Sequence, residues 1–60
     1  MDVKRAQEIA NSSTMANVTY NGAGIYIEHV DQQNGTCTIH PLDEPTNKQS
    51  VPVSSLVEME

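Results

Sequence analysis

Tryptophan and phenylalanine are absent, and tyrosine occurs only twice. The large rings that usually anchor a small core are therefore scarce. Cysteine occurs once, at Cys37, so no disulfide can close within the chain. One Cys and two His also disfavour a four-ligand structural zinc site. Basic residues number three against eight acidic ones. No apolar run approaches the roughly 20 residues that a membrane-spanning helix needs. The N-terminus lacks an apolar h-region, which predicts no secretory signal. A single free thiol fits a reducing, intracellular setting. Gly22 and Gly24 lack the strand-to-helix context of a phosphate-binding loop.

What remains is short and acidic. Sixty residues allow one domain, spanning 1–60. Such a chain buries only about 60% of the surface its unfolded form exposes. Ordering each residue costs roughly 1.5 kcal/mol, close to what burial returns at this size. Small proteins escape this bind through disulfides, metals or oligomerisation. The first two are disfavoured here, so a homodimer is expected. The net charge of −5 is uneven. Lys4 and Arg5 balance Asp2 and Glu8 near the start. Beyond them, Lys48 stands alone against Glu28, Asp31, Asp43, Glu44, Glu58 and Glu60. Nucleic-acid binders gain affinity by neutralising phosphates with basic patches. The only basic pair is Lys4–Arg5, so nucleic acid is a disfavoured partner and the β region would repel it.

"DVKRAQEIAN" reads as a short helix capped by Asp2, with Val3, Ala6, Ile9 and Ala10 on one face. It is shorter than the roughly 12–15 residues an isolated helix requires, so it must dock. "NSST" ends it with side chains that favour turns. "NVTYNGAGIYIEHV" is a hairpin signal, because Asn21-Gly22 suits a two-residue type I′ turn. That turn sets Tyr20 opposite Ala23, Thr19 opposite Gly24 and Val18 opposite Ile25. Alternation then puts Val18, Tyr20, Ala23, Ile25 and Ile27 on a core face. Thr19, Gly24, Tyr26 and Glu28 take the other. "DQQNG" is a second turn and "TCTIHP" a third strand. A regular ladder predicts Val30 opposite Thr36, Glu28 opposite Thr38, Ile27 opposite Ile39 and Tyr26 opposite His40. Cys37 and Ile39 join the core. After the charged loop "LDEPTNKQ", "SVPVSSLVEME" supplies a fourth strand with an edge-compatible Pro52, then a turn or last strand. Val51, Val53 and Leu56 complete the expected core. The fold class is mainly β (α+β): a short N-terminal helix and a small curled antiparallel sheet, in the manner of an SH3-like barrel.

Few residues suggest chemistry. Cys37 and His29 fall opposite each other in the regular register, and a thiolate beside a histidine is a nucleophile pattern. No orienting third group or oxyanion site accompanies them, and free Cys usually just packs. His29 and His40 are expected on opposite faces, which prevents them from sharing a metal ion. Asp43-Glu44 lies in a solvated loop, where nothing splits the two pKa values for acid/base work. Tyr20 and Tyr26 fall on opposite faces without flanking cations, unlike a single-strand-binding surface. "NVT" at Asn17–Thr19 matches an N-glycosylation pattern, which matters only in a secreted protein. The candidate interaction face is Tyr26, Glu28, Thr38 and His40. No catalytic residue, cofactor or metal is expected.

"VKRAQEI", "VTYNG", "IYIEHVD", "NGT" and "VPVSSLVE", in this order and spacing, resemble the H-type small acid-soluble spore proteins of spore-forming Firmicutes. The resemblance covers nearly the whole chain. The family commonly has a Val-Pro pair where this chain has Ala23-Gly24, and an Ala-Arg pair where it has Cys37-Thr38. Cys37 is therefore a poor candidate for a family-wide role. The resemblance implies expression in the forespore, residence in the spore core and no enzymatic activity. It does not imply the DNA coating of the α/β-type spore proteins, which are helical on DNA and carry a protease-cleavage motif missing here. The rival reading is a small β protein-interaction module that docks a partner through its exposed sheet face or edge.

Overall fold

The computed structural model describes residues 1–12 and 16–59. Ser13 and Thr14, half of the expected helix-ending "NSST", lie outside them. The first element is a helix, α1 (Val3–Asn11). Asp2 caps it: its Oδ1 accepts from the Arg5 backbone N–H at 2.7 Å, satisfying one of the donors a helix start leaves open. Ala6 and Ile9 are buried, and Val3 and Ala10 pack at the margin of the same core. The helix lies against the sheet and is tied at its start, where the Met1 ammonium donates to the Leu56 carbonyl at 3.1 Å.

Five antiparallel strands follow: β1 (Asn17–Tyr20), β2 (Ala23–Asp31), β3 (Thr36–Pro41), β4 (Gln49–Pro52) and β5 (Leu56–Met59). A 3₁₀ turn over Val53–Ser55 separates the last two. The sheet order is β4-β3-β2-β1-β5. The β1–β2 hairpin has the expected register, Val18 to Ile25, Thr19 to Gly24 and Tyr20 to Ala23. Its turn has Asn21 at φ 53° and Gly22 at φ 81°, the two positive angles that a type I′ turn requires.

The core is Ala6, Ile9, Val18, Ile25, Ile27, Val30, Cys37, Ile39, Val51, Val53 and Leu56. Two of the expected members differ. Ala23 is exposed beside the turn, and Tyr20 is half-buried at the core's edge. Val30, expected opposite Thr36, instead pairs with Cys37 and is buried, because the β2–β3 ladder shifts between Ile27 and His29. Tyr26–His40 and Ile27–Ile39 pair as expected. Beyond the shift, His29 pairs with Thr38, Val30 with Cys37 and Asp31 with Thr36. Glu28 is thus the extra residue of a β-bulge, and it does not face Thr38. The cause is the apolar spacing. Ile25 and Ile27 are two apart, but Val30 is three further on, and a strict period of two cannot bury all three.

The SH3-like barrel expected above is not closed. β4 pairs with β3 and β5 pairs with β1, at opposite edges, and no ladder joins them. The three-residue 3₁₀ turn carries the chain from one edge to the other and is not a hairpin. The structure is a mostly β open antiparallel sheet with one short helix against its inner face.

Candidate functional site

The outer face of the sheet, opposite α1, collects the sequence's candidates. Strand alternation and the pairings set Tyr26, His40, Thr38 and His29 on this side. Tyr26 and His40 stack, with ring centroids 5.3 Å apart and planes 25° from parallel. The bulge turns Glu28 toward them. Its Oε2 lies 2.6 Å from His40 Nδ1. An ionised carboxylate only accepts, so Nδ1 carries the proton of this bond. Lys48 Nζ lies 3.2 Å from the other Glu28 oxygen. The bonded His40 ring, and less so the Lys48 ammonium, hold the Glu28 carboxyl below the usual carboxylate range. Of the expected face, Tyr26, Glu28 and His40 come together. Thr38 is on the same side, between His29 and Ser50, outside the bonded cluster.

Sequence reasoning did not place Lys48 here, because it sits in the loop before β4 and no short-range pattern links it to Glu28. The face also has a second, apolar half that was not foreseen. Thr19 pairs with both Gly24 and Val57, and Asn17 pairs with Met59. These pairs put Val57 and Met59 on the outer face. Leu42 donates its backbone N–H to the Gly24 carbonyl at 3.2 Å. A Cβ on Gly24 would lie 3.1 Å from Leu42 Cδ1. The missing side chain at position 24 therefore lets Leu42 lie down on β2. A shallow groove of about 460 Å³ runs between Leu42 and Met59, floored by Thr19 and Gly24. The large hydrophobic residues exposed on the described surface are Tyr26, Leu42, Val57 and Met59, all on this one face.

The other sequence candidates disperse. Cys37 faces Val30, not His29, so the thiol–imidazole pair does not form. Burial pushes the Cys37 thiol up, away from thiolate chemistry. The bulge also brings His29 to the face that bears His40, contrary to the expected opposite faces. Among the described residues no group of three His, Cys, Asp or Glu is placed to hold a metal ion. Asp43 and Glu44 are exposed, and Glu44 accepts from Asn47 of its own loop at 3.1 Å. Arg5 is already engaged. Its Nε and Nη2 donate to the two Glu58 oxygens at 2.8 and 2.6 Å, and Nη1 approaches Glu8 at 3.6 Å. This paired geometry raises the Arg5 pKa and lowers that of Glu58.

Among known proteins, the model of the small acid-soluble spore protein H family matches residues 1–58. The chain belongs to the small acid-soluble spore protein H family. A relative from Geobacillus thermodenitrificans, small acid-soluble spore protein H 2, is 76% identical over 58 residues, 97% of each chain. The small acid-soluble spore protein H of Bacillus subtilis is 50% identical, over 97% of this chain and 98% of its own. The Alkaliphilus metalliredigens protein is 53% identical with the same coverage. No solved structure matches. Membership makes this a sporulation protein of the small acid-soluble type. No helix among the described residues is long and apolar enough to cross a membrane. Gly24 and Cys37, the two positions singled out in the resemblance, now have a place in the fold. Gly24 lies beneath Leu42, and Cys37 is a core residue, 2% exposed, flanked by Val30 and Val51.

Proposed function

We propose that this H-type spore protein is a non-catalytic component of the dormant spore core, made in the forespore and stored there in quantity. Its membership of the spore protein family over residues 1–58 carries the reading. The side-chain chemistry is consistent with it. The thiol is buried and faces Val30, and in the outer cluster Glu28 is held by His40 and Lys48 while the His40 ring stacks on Tyr26. Quantitative immunoblotting of growing cells, dormant spores separated into core and outer layers, and germinating spores tests it. High copy number in the core fraction, with loss at germination, is the expected result. Abundance in growing cells, or recovery only from the coat layers, would overturn it.

A further inference from the structure

We propose that the apolar half of the outer sheet face is a self-association surface, and that its occupant is a second copy of this chain. Tyr26, Leu42, Val57 and Met59 are each more than 40% exposed and share one side of the sheet. The inner side is covered by α1 and carries the core. A sheet with one solvated face usually carries polar residues there, so gathered apolar side chains mark a contact surface.

Charge selects the occupant. The chain carries a net charge of −5, so two copies repel wherever carboxylates meet. Among the described residues, none that lines the groove between Leu42 and Met59 is ionisable. On the same face, Glu28 is already bonded to His40 and Lys48. Two copies can therefore meet here at the least electrostatic cost. A basic partner would gain nothing from an uncharged groove and would seek the carboxylates elsewhere. β5 is an edge strand beside the groove, paired only with β1 and tied at Leu56 by the Met1 ammonium. An isologous dimer packs Leu42 and Met59 of each copy onto the same groove of the other. It also supplies the extra burial that a chain of this length lacks.

Sedimentation equilibrium of the purified full chain, from micromolar to millimolar concentration and at low and high salt, tests the inference. The expected result is a monomer–dimer equilibrium that tightens as salt screens the like net charges. Leu42→Asp weakens the dimer by about tenfold or more, with the circular-dichroism spectrum unchanged, because Leu42 is 64% exposed and supports no core contact. Gln33→Asp adds the same charge in the exposed β2–β3 turn, away from the face, and leaves association nearly unchanged. A chain that stays monomeric at millimolar concentration overturns the inference, as does a dimer indifferent to Leu42→Asp. A monomer that binds a polylysine peptide, with affinity lost in salt, replaces the second copy with a basic partner. The inference is independent of the storage reading, which is tested in spores and survives a monomeric result.

Discussion

Deleting Glu28 takes one residue out of the middle of β2, a strand flanked on both sides. In a regular strand such a deletion turns every later side chain to the opposite face. Here it should do the reverse. Glu28 is the bulged residue, and without it Ile27–Ile39, His29–Thr38, Val30–Cys37 and Asp31–Thr36 form one continuous ladder. Ile25, Ile27 and Val30 all stay inward. The deletion removes the bonds to His40 and Lys48 and nothing from the core. Deletion of Thr38, opposite the bulge, is the contrast. Either Cys37 or Ile39 must then leave the core, and the β3–β4 pairs Cys37–Val51 and Ile39–Gln49 cannot both persist. Turning one large aliphatic side chain to water costs about 1.5–3 kcal/mol, and each lost ladder bond costs about 1 kcal/mol more. A chain of 60 residues, at roughly 0.05–0.15 kcal/mol per residue, has only about 3–9 kcal/mol to lose. Urea denaturation followed by circular dichroism reads both variants. The Glu28 deletion should unfold cooperatively and lose less stability than Ile39→Ala, a fully buried position where truncation costs about 2–5 kcal/mol. The Thr38 deletion should be unfolded. If the Glu28 deletion is unfolded, or the Thr38 deletion folds normally, the assignment of the bulge is wrong.

Gly22 sits at φ 81° with open space around it, so Gly22→Ala should cost about 1–2 kcal/mol through backbone strain alone, read as a lower urea midpoint. Asp2→Ala should cost about 0.5–2 kcal/mol by removing the cap bond to Arg5, seen in thermal melts with reduced helix signal. Asp31 accepts from Gln33 N, Asn34 N and Asn34 Nδ2, and these bonds, chiefly those from Asn34, lower its pKa. Glu28 and Glu58 are lowered as well. Each is more acidic in the fold than in the unfolded chain, so the unfolded chain takes up protons first as the pH drops. Their contribution is complete above the ordinary carboxylate pKa of about 4 and fades as the pH falls through and below it. Asp31→Asn should flatten that decline in urea titrations between neutral and acid pH. Cys37, 2% exposed with a raised pKa, should react slowly with a thiol reagent when folded and rapidly in urea. Fast labelling of the folded chain would contradict its burial.

Local signals were legible in the chain itself. Asp2 before an apolar face marks a capped helix, because the cap bond spans only three residues. Asn21-Gly22 sets the first hairpin's register, because only a few side chains tolerate both positive φ values. Val51 and Val53 alternate about Pro52 and Leu56 follows two serines, and all three are core members. The Ile25, Ile27, Val30 spacing also held the sign of the bulge, for anyone who let it override strict alternation. Tertiary structure decided the rest, because its causes lie far apart in sequence. The ladder between β1 and β5 and the Arg5–Glu58 pair join opposite ends of the chain. Lys48 meets Glu28 across twenty positions, after a loop whose path no local rule dictates. The gathering of Tyr26, Leu42, Val57 and Met59 depends on three separate strand pairings and on the fold-back of the chain over Gly24. Whether a five-stranded sheet closes or stays open is likewise a property of its edges, and edges exist only once all the strands are in place.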